Sequence, residues 1–315
     1  MLPLVIANPK SAGGSTRDKW SAIASDLRTH FGPFNVAFTK GPGDGIEIAR
    51  AASGKGRTFI IACGGDGTVN EIANGILQSG KDAELGILPS GTGGDFRRTI
   101  GMPDESREAA RALRDGETKR IDVGKVSFID HENAPAERYF LNVTSFGLAA
   151  SIIERVKSTT SLSWLPLDNV RGRASFALST LQEVIAIGPT SVRVKLDDKE
   201  GHTLQTVNFC VANARYFGGG MMIAPEAKLN DGLLDVINIG DINTAKIILN
   251  AYTLYRGTHL DLTEVKDTLA KRIEARPFRD DQEVHIEIDG ELPGKLPATY
   301  EVVPGALRVR VPRSK

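Results

Sequence analysis

The sequence is poor in the residues that support redox or metal chemistry. Of its 315 residues two are cysteine, five histidine and four methionine. Cys63 and Cys210 each sit in an apolar, strand-like run and have no partner at zinc-ligand spacing. They read as buried thiols of a reducing compartment rather than a disulfide framework. His30, His131, His202, His259 and His285 are dispersed, so they form no metal cluster and offer no Ser-His-Asp arrangement. Excess charge of one sign is also lacking. Lys plus Arg number 39 and Asp plus Glu 39, a formal net charge of zero that suggests no nucleic-acid partner. No apolar run approaches the roughly 20 residues of a membrane span, and Met1–Ala7 is too short for a secretory leader. A cytoplasmic location is expected. The Gly-x4-Gly-Lys-Ser/Thr pattern of P-loop kinases is absent as well.

What is present is one pattern used three times. Thr58–Cys63 is apolar and breaks into Gly64-Gly65-Asp66-Gly67-Thr68-Val69-Asn70-Glu71. Val69, Ile72, Ala73, Ile76 and Leu77 then recur at helical spacing, giving strand, glycine turn, helix. Leu4–Ala7 breaks into Asn8-Pro9-Lys10-Ser11-Ala12-Gly13-Gly14, and Leu85–Leu88 into Pro89-Ser90-Gly91-Thr92-Gly93-Gly94-Asp95-Phe96. In an open α/β sheet such loops meet at the carboxyl edge of the strands, where ligands bind. Glycines admit a close ligand, and the N–H groups that open a helix suit phosphate. An acid such as Asp66 beside phosphate implies a divalent cation between them.

A chain of this length is expected to form two domains. Residues 1–124 alternate strands and helices, which predicts an α/β domain with a parallel sheet that binds nucleotide. From about 125 the pattern shifts to β-branched and aromatic strands near 125–129, 139–144, 191–196, 206–212, 234–239 and 284–288. Helical spacing interrupts them at 148–157, 174–187 and 244–255. Residues 125–304 are expected to form a β-rich, sandwich-like domain.

The motifs carry a resemblance. Asn8-Pro-x-Ser, Gly64-Gly-Asp-Gly-Thr and Pro89-Ser-Gly-Thr-Gly-Gly-Asp-Phe resemble the diacylglycerol kinase catalytic-domain family, which includes sphingosine and ceramide kinases and soluble bacterial lipid kinases. Gly218-Gly-Gly-Met-Met-Ile-Ala-Pro-Glu-Ala-Lys-Leu-Asn-Asp-Gly-Leu-Leu-Asp-Val and Ile288-Asp-Gly-Glu291 are similar to its later signatures. Gly94 departs from the pattern, since the family usually has Asn there. The resemblance implies an ATP- and Mg²⁺-dependent kinase acting on a membrane lipid hydroxyl. It implies a tail, about 305–315, that returns to the first domain.

The expected nucleotide contacts are Asn8, Pro9, Lys10, Ser11, Thr39, Gly64, Gly65, Asp66, Gly67, Thr68, Asn70, Glu71, Gly91, Thr92 and Asp95, with Thr39 implied by the family. Asp66 is expected to orient the metal; turn capping is its alternative, as a helix N-cap is for Asp95. By resemblance Glu291 is the general base, the alternative being a hairpin with solvated acids. A structural Mg²⁺ is implied at the carbonyls of Lys228 and Leu233 with the side chain of Asp231, where an Asn-Asp-Gly turn reads equally well. Trp164 among leucines, followed by Arg171 and Arg173, suits transient peripheral contact with the inner membrane face or a tucked core loop. The sequence leaves open diacylglycerol, ceramide, sphingoid base or another lipid as acceptor, and the oligomeric state, a homodimer included. Two other readings stand: an NAD-kinase-like enzyme with a soluble acceptor, and a non-catalytic lipid- or nucleotide-binding protein.

Overall fold

Alternation along the first strand decides how the N-terminal sheet is covered. In β1 (Leu4–Ala7), Leu4 and Ile6 join one apolar cluster while Val5 and Ala7 join another on the opposite face. A strand buried on both faces belongs to a parallel sheet sandwiched by helices. The computed structural model describes residues 1–91, 93–151, 153, 188–242 and 244–313. Thr92, the helix expected at 174–187, most of that at 148–157, and Trp164 with Arg171 and Arg173 lie outside the described residues.

After β1 come α1 (Ser15–His30), β2 (Asn35–Phe38), α2 (Asp44–Gly54), β3 (Phe59–Gly64), α3 (Asp66–Gln78), β4 (Glu84–Pro89), the short α4 (Asp95–Thr99) and α5 (Ser106–Asp115). The four strands pair in parallel in the order β2-β1-β3-β4. α2 and α3 pack together over one face, and α1 with α5 over the other. Cys63 is fully buried beneath α1 and α5, and burial pushes its thiol up to about 12, so it is an inert packing residue.

The chain then enters β5 (Glu117–Asp130), followed by β6 (Pro135–Phe140), β7 (Val143–Gly147), β8 (Thr190–Leu196), β9 (His202–Thr206), β10 (Asn208–Ala212), the short pair β11 (Tyr216–Phe217) and β12 (Met221–Met222), and β13 (Leu234–Ile239). A helix, Thr244–Arg256, precedes β14 (Val265–Ala270), β15 (Arg272–Pro277), β16 (His285–Ile288) and β17 (Glu291–Val311). One layer runs β14-β13-β10-β7-β16; β5, β6, β8, β9, β15 and the first part of β17 form the other. Side chains from both layers share one core, centred on the fully buried Phe140, Phe146, Phe209 and Tyr300. Phe146 and Phe209 stack there with centroids 4.9 Å apart.

β17 ties the two halves into one sheet. Its first part pairs with β16 and β15, and its last part lies parallel to β4 through Arg308–Glu84 and Val309–Leu85. Along nearly its whole length it is antiparallel to β5. The expected boundary at residue 124 therefore falls inside β5, a strand that both halves share. The return is fixed electrostatically. Arg310 donates to both oxygens of the buried Glu84, at 2.7 and 3.0 Å, and Thr118 adds a third bond. Burial raises the Glu84 carboxyl, but these hydrogen bonds outweigh it and hold the group below its usual range.

Two outcomes follow from packing in the second half. Gly124 faces Phe140 across β5 and β6, and a Cβ there would collide with the ring. Gly124→Ala is expected to lower unfolding free energy by about 1–3 kcal/mol in urea titration, with Phe140→Leu recovering part of the loss. Beneath the β16–β17 turn, burial pushes the Glu287 carboxyl up to about 7 despite donors from Ser145 (2.7 Å) and the Gly290 N–H (2.5 Å). A carboxyl raised in the folded state binds more protons there than in the unfolded chain, so stability falls as pH rises from about 4.5 to about 7. Glu287→Gln should remove that fall, on the order of 2–3 kcal/mol between pH 5 and 8. Parallel pH profiles for the two proteins would refute the assignment.

Candidate active site

The loops after β1, β3 and β4 interlock before any ligand enters. Asn8 accepts the Lys10 N–H at 2.9 Å, curling the first loop, and donates through Nδ2 to Thr68 Oγ1 at 3.2 Å. Ser11 Oγ lies 3.5 Å from the same Thr68 hydroxyl. Thr16 reaches the third loop through Ser90 O at 2.9 Å and Ser90 Oγ at 2.7 Å. The third loop crosses directly over the second. A Cβ on Gly91 would sit 2.5 Å from Gly65 Cα, so only glycine allows that crossing.

A cleft of about 360 Å³ opens over this platform. Of the residues expected from sequence, its lining contains Asn8, Lys10, Ser11, Thr39, Gly65, Gly67, Thr68, Glu71 and Glu291. Gly41 and Pro42 also line it and carried no signal in the sequence beyond an ordinary turn. Glu291 thus reaches the glycine loops from more than two hundred residues away. Its Oε2 accepts from Arg138 Nη1 at 2.6 Å, and its side chain remains 46% exposed. Glu71 faces the cleft while accepting the Gly43 and Gly45 N–H groups at 2.8 and 2.9 Å, which caps α2.

Other expected contacts lie outside the lining of this cleft. Pro9 does not line it, and neither do Gly64 and Gly91, which with Asp66 border a cavity of about 10 Å³ beneath the loops. Both Asp66 oxygens are engaged by backbone: Oδ2 accepts the Gly94 N–H at 2.7 Å and Oδ1 the Phe96 N–H at 3.2 Å. Asp66 therefore caps the start of α4 across the sheet edge. Gly94 itself is left-handed, φ 72° and ψ 38°, a conformation asparagine also tolerates, so the departure at this position leaves the backbone geometry available to both residues. Asp95 accepts from Arg98 at 3.0 Å and from the Gly219 N–H at 2.8 Å, tying α4 to the second half. Burial, and secondarily the Asp66 charge, raise its carboxyl.

Asn70 is a clasp rather than a lining residue. Its Nδ2 donates to Tyr139 O at 3.1 Å and to Asp289 Oδ2 at 2.7 Å. Asp289 also accepts three consecutive backbone N–H groups, those of Leu141 (2.8 Å), Asn142 (3.0 Å) and Val143 (3.0 Å). Burial pushes its carboxyl up to about 6 despite these donors. Asp289 and Gly290 both have positive φ, 45° and 89°, as the tight hairpin turn before Glu291 requires.

In the loop where a structural cation was expected, Asp231 Oδ1 accepts the Leu233 N–H at 3.1 Å. The Gly232 N–H goes to Asp122 Oδ2 at 2.7 Å, and Asp122 Oδ1 takes the Gly305 N–H at 2.7 Å. Burial and the Asp231, Asp267 and Glu226 charges push Asp235 up to about 6. That crowding of negative charge fits a cation. Among the described residues no three His, Cys, Asp or Glu side chains converge in metal-ligating geometry, so main-chain carbonyls and water would have to supply most ligands. Asp122 escaped the reading of the sequence. Its signal was a lone acid in the apolar run Ile121-Asp122-Val123.

The double acceptance by Asp66 is testable. In Asp66→Asn one oxygen remains for two donors, and the amide NH₂ faces an N–H. Unfolding free energy should fall by about 1–3 kcal/mol. Unchanged stability in denaturant would remove the capping role and leave only a ligand-directed one.

Comparison with known proteins places this architecture. Residues 3–126 match the diacylglycerol kinase catalytic domain, and residues 142–311 match the YegS C-terminal NAD kinase beta sandwich-like domain. The chain is 29% identical to a Mycobacterium tuberculosis protein named diacylglycerol kinase over 310 residues, covering 98% of this chain and 94% of that one. It is 29% identical over 276 residues to the Bacillus subtilis diacylglycerol kinase, 87% of this chain and 84% of the relative. A crystal structure of a Bacillus anthracis diacylglycerol kinase superposes with a TM-score of 0.71 at 23% identity, over 98% of this chain and 96% of that one, a likeness of fold. The chain belongs to the diacylglycerol kinase catalytic-domain family and is a lipid kinase.

Proposed function

We propose that this lipid kinase transfers the γ-phosphoryl group of ATP, with Mg²⁺, to the free hydroxyl of diacylglycerol. The observation that carries this reading is the meeting of Glu291 with Asn8, Lys10, Ser11, Gly65, Gly67 and Thr68 across one cleft. The α3 N-terminus offers backbone N–H groups and the helix dipole to the polyphosphate, with Lys10 as the cation beside it. Glu291 takes the hydroxyl proton as the acceptor oxygen bonds to the γ-phosphorus and the bond to the bridging oxygen of ADP breaks. Arg138 holds the Glu291 carboxylate in place. Mg²⁺, when bound with the nucleotide, offsets the negative charge of the phosphates. Asp66 and Asp95, in the second and third glycine loops, would hold it by exchanging protein donors for the metal, since Asp66 accepts the Gly94 and Phe96 N–H groups and Asp95 accepts from Arg98 and the Gly219 N–H. The relatives named diacylglycerol kinase support this acceptor over ceramide or a sphingoid base.

Among the described residues no helix is long and apolar enough to cross a membrane. We propose that the enzyme meets its substrate by peripheral contact at the inner face. A soluble acceptor is the competing reading, given the NAD-kinase-like sandwich.

The test is transfer of label from γ-labelled ATP, with and without Mg²⁺, to mixed micelles of diacylglycerol, ceramide or sphingosine, with NAD as a soluble acceptor. Label in diacylglycerol that depends on Mg²⁺ is expected. Glu291→Gln should lower turnover by about 10²- to 10⁴-fold with ATP affinity unchanged. Label in NAD instead, or turnover insensitive to Glu291→Gln, would overturn the assignment.

A further inference from the structure

A second cleft, of about 580 Å³, shares no lining residue with the first. It is lined by the end of α4, the β5 segment 119–121, the end of β17, Arg215 and the turn 227–230. It therefore straddles the joint between the two halves. Its lining holds four cationic side chains, Lys119, Arg120, Arg215 and Lys228, and no carboxylate.

Two of those cations are already committed. Lys119 pairs with Glu117 at 3.1 Å and Arg120 with Asp82 at 2.8 Å. The other two are not. Arg215 donates from Nε to Ala227 O at 3.2 Å, and its terminal nitrogens make no hydrogen bond among the described residues. That single bond helps to fix the guanidinium plane and leaves its two-pronged edge free. Lys228 feels the Asp235 charge but makes no salt bridge or hydrogen bond among the described residues. Arg215 and Lys228 share the cleft without a direct ion pair among the described residues, so an anion there gains attraction from both. A guanidinium held through Nε and an ammonium in one cleft, which Asn230 also lines, form a donor set matched to the tetrahedral oxygens of a phosphoryl group.

We infer that this cleft binds a phosphomonoester anion at the joint of the two domains. Ile121, which lines the cleft, precedes Asp122. Asp122 holds the joint by receiving the Gly232 and Gly305 N–H groups. An anion bridging Arg215 and Lys228 to β5 adds a further tie across the same joint, so its binding stabilises the folded pair of domains. The phosphomonoester comes from one of two sources, a soluble metabolite or the headgroup of an anionic lipid.

Two measurements separate them at low ionic strength. One is calorimetric binding of glycerol 3-phosphate; the other is co-sedimentation with phosphatidylcholine vesicles with and without phosphatidate. Arg215→Gln/Lys228→Gln is expected to weaken binding by about ten- to hundredfold, the loss of two charge-assisted contacts. Loss in the calorimetric arm assigns the soluble source, and loss confined to phosphatidate vesicles assigns the headgroup. Lys228→Gln alone removes a charge that makes no hydrogen bond, so it should leave the unfolding temperature unchanged while weakening binding several-fold. Binding unaltered by either variant, which would place the anion at the glycine loops or elsewhere, overturns the inference. So does an absence of binding by the unaltered protein in both arms.

Discussion

The carboxylate of Asp289 is the contact on which the arrangement of the candidate site depends. It gathers three successive N–H groups from residues 141–143 and the Asn70 amide. Those partners belong to the β6–β7 connection, the start of β7, and α3, the helix that begins in the glycine loop. One side chain therefore joins the phosphate-facing helix, the β-rich half and the hairpin that carries Glu291. Four donors to one buried carboxylate leave it little freedom to shift. Two residues further on, Glu291 inherits that placement through a turn whose positive φ angles Asp289 and Gly290 supply. The proposed base is positioned by a neighbour that does not itself line the cleft.

A second constraint acts at the level of the sheet. β5 and β17 run antiparallel through both halves, so the joint is a continuous ladder rather than a flexible linker. Ladder hydrogen bonds resist shear along the strands, while the bulges in β17 at 295–299 and 303–307 let the ribbon turn from the sandwich onto β4. Asp122 pins the inner side of that bend to the 229–232 turn and to Gly305. The hydrogen bond from the Gly219 N–H to Asp95 is a further tie between the halves.

The sequence was most informative where local chemistry sufficed. The three apolar runs ending in glycine loops, and the helices α2, α3 and α5, follow from periodicity and turn residues, and the structure has them. β17 was not legible as a strand, and the return of its tail to the first half was implied only by the family resemblance. Pro293, Pro297 and Pro304 with Gly294 and Gly305 read as loop, yet the bulges absorb part of that irregularity. The first half of β5, Glu117-Thr-Lys-Arg, reads as surface because its charged residues are exposed; its strand state comes from pairing with residues 307–311. β14 and β15 were hidden by charged residues in the same way. At the site, residue type pointed to Thr68, and only the family resemblance pointed to Glu291. It could not tell that Asp66, Asn70 and Glu71 spend their polar atoms on other parts of the chain. That information lies in contacts 26 to 219 residues apart, which no local pattern encodes.

Those contacts carry a physical consequence for the proposed reaction. Donors that face phosphate work best when they need not reorganise on binding. Here the loop after β1 is held by Asn8 to Thr68, the loop after β4 by Asp66, and α2 by Glu71. Each tie uses a polar side chain from α3 or its opening turn, so the helix that presents its N–H groups to the cleft is also the frame that fixes the other loops. Loss of any one tie should then loosen a loop that its own sequence does not explain. Asp66 and Glu71 act as struts here, accepting N–H groups from the loop after β4 and from the start of α2.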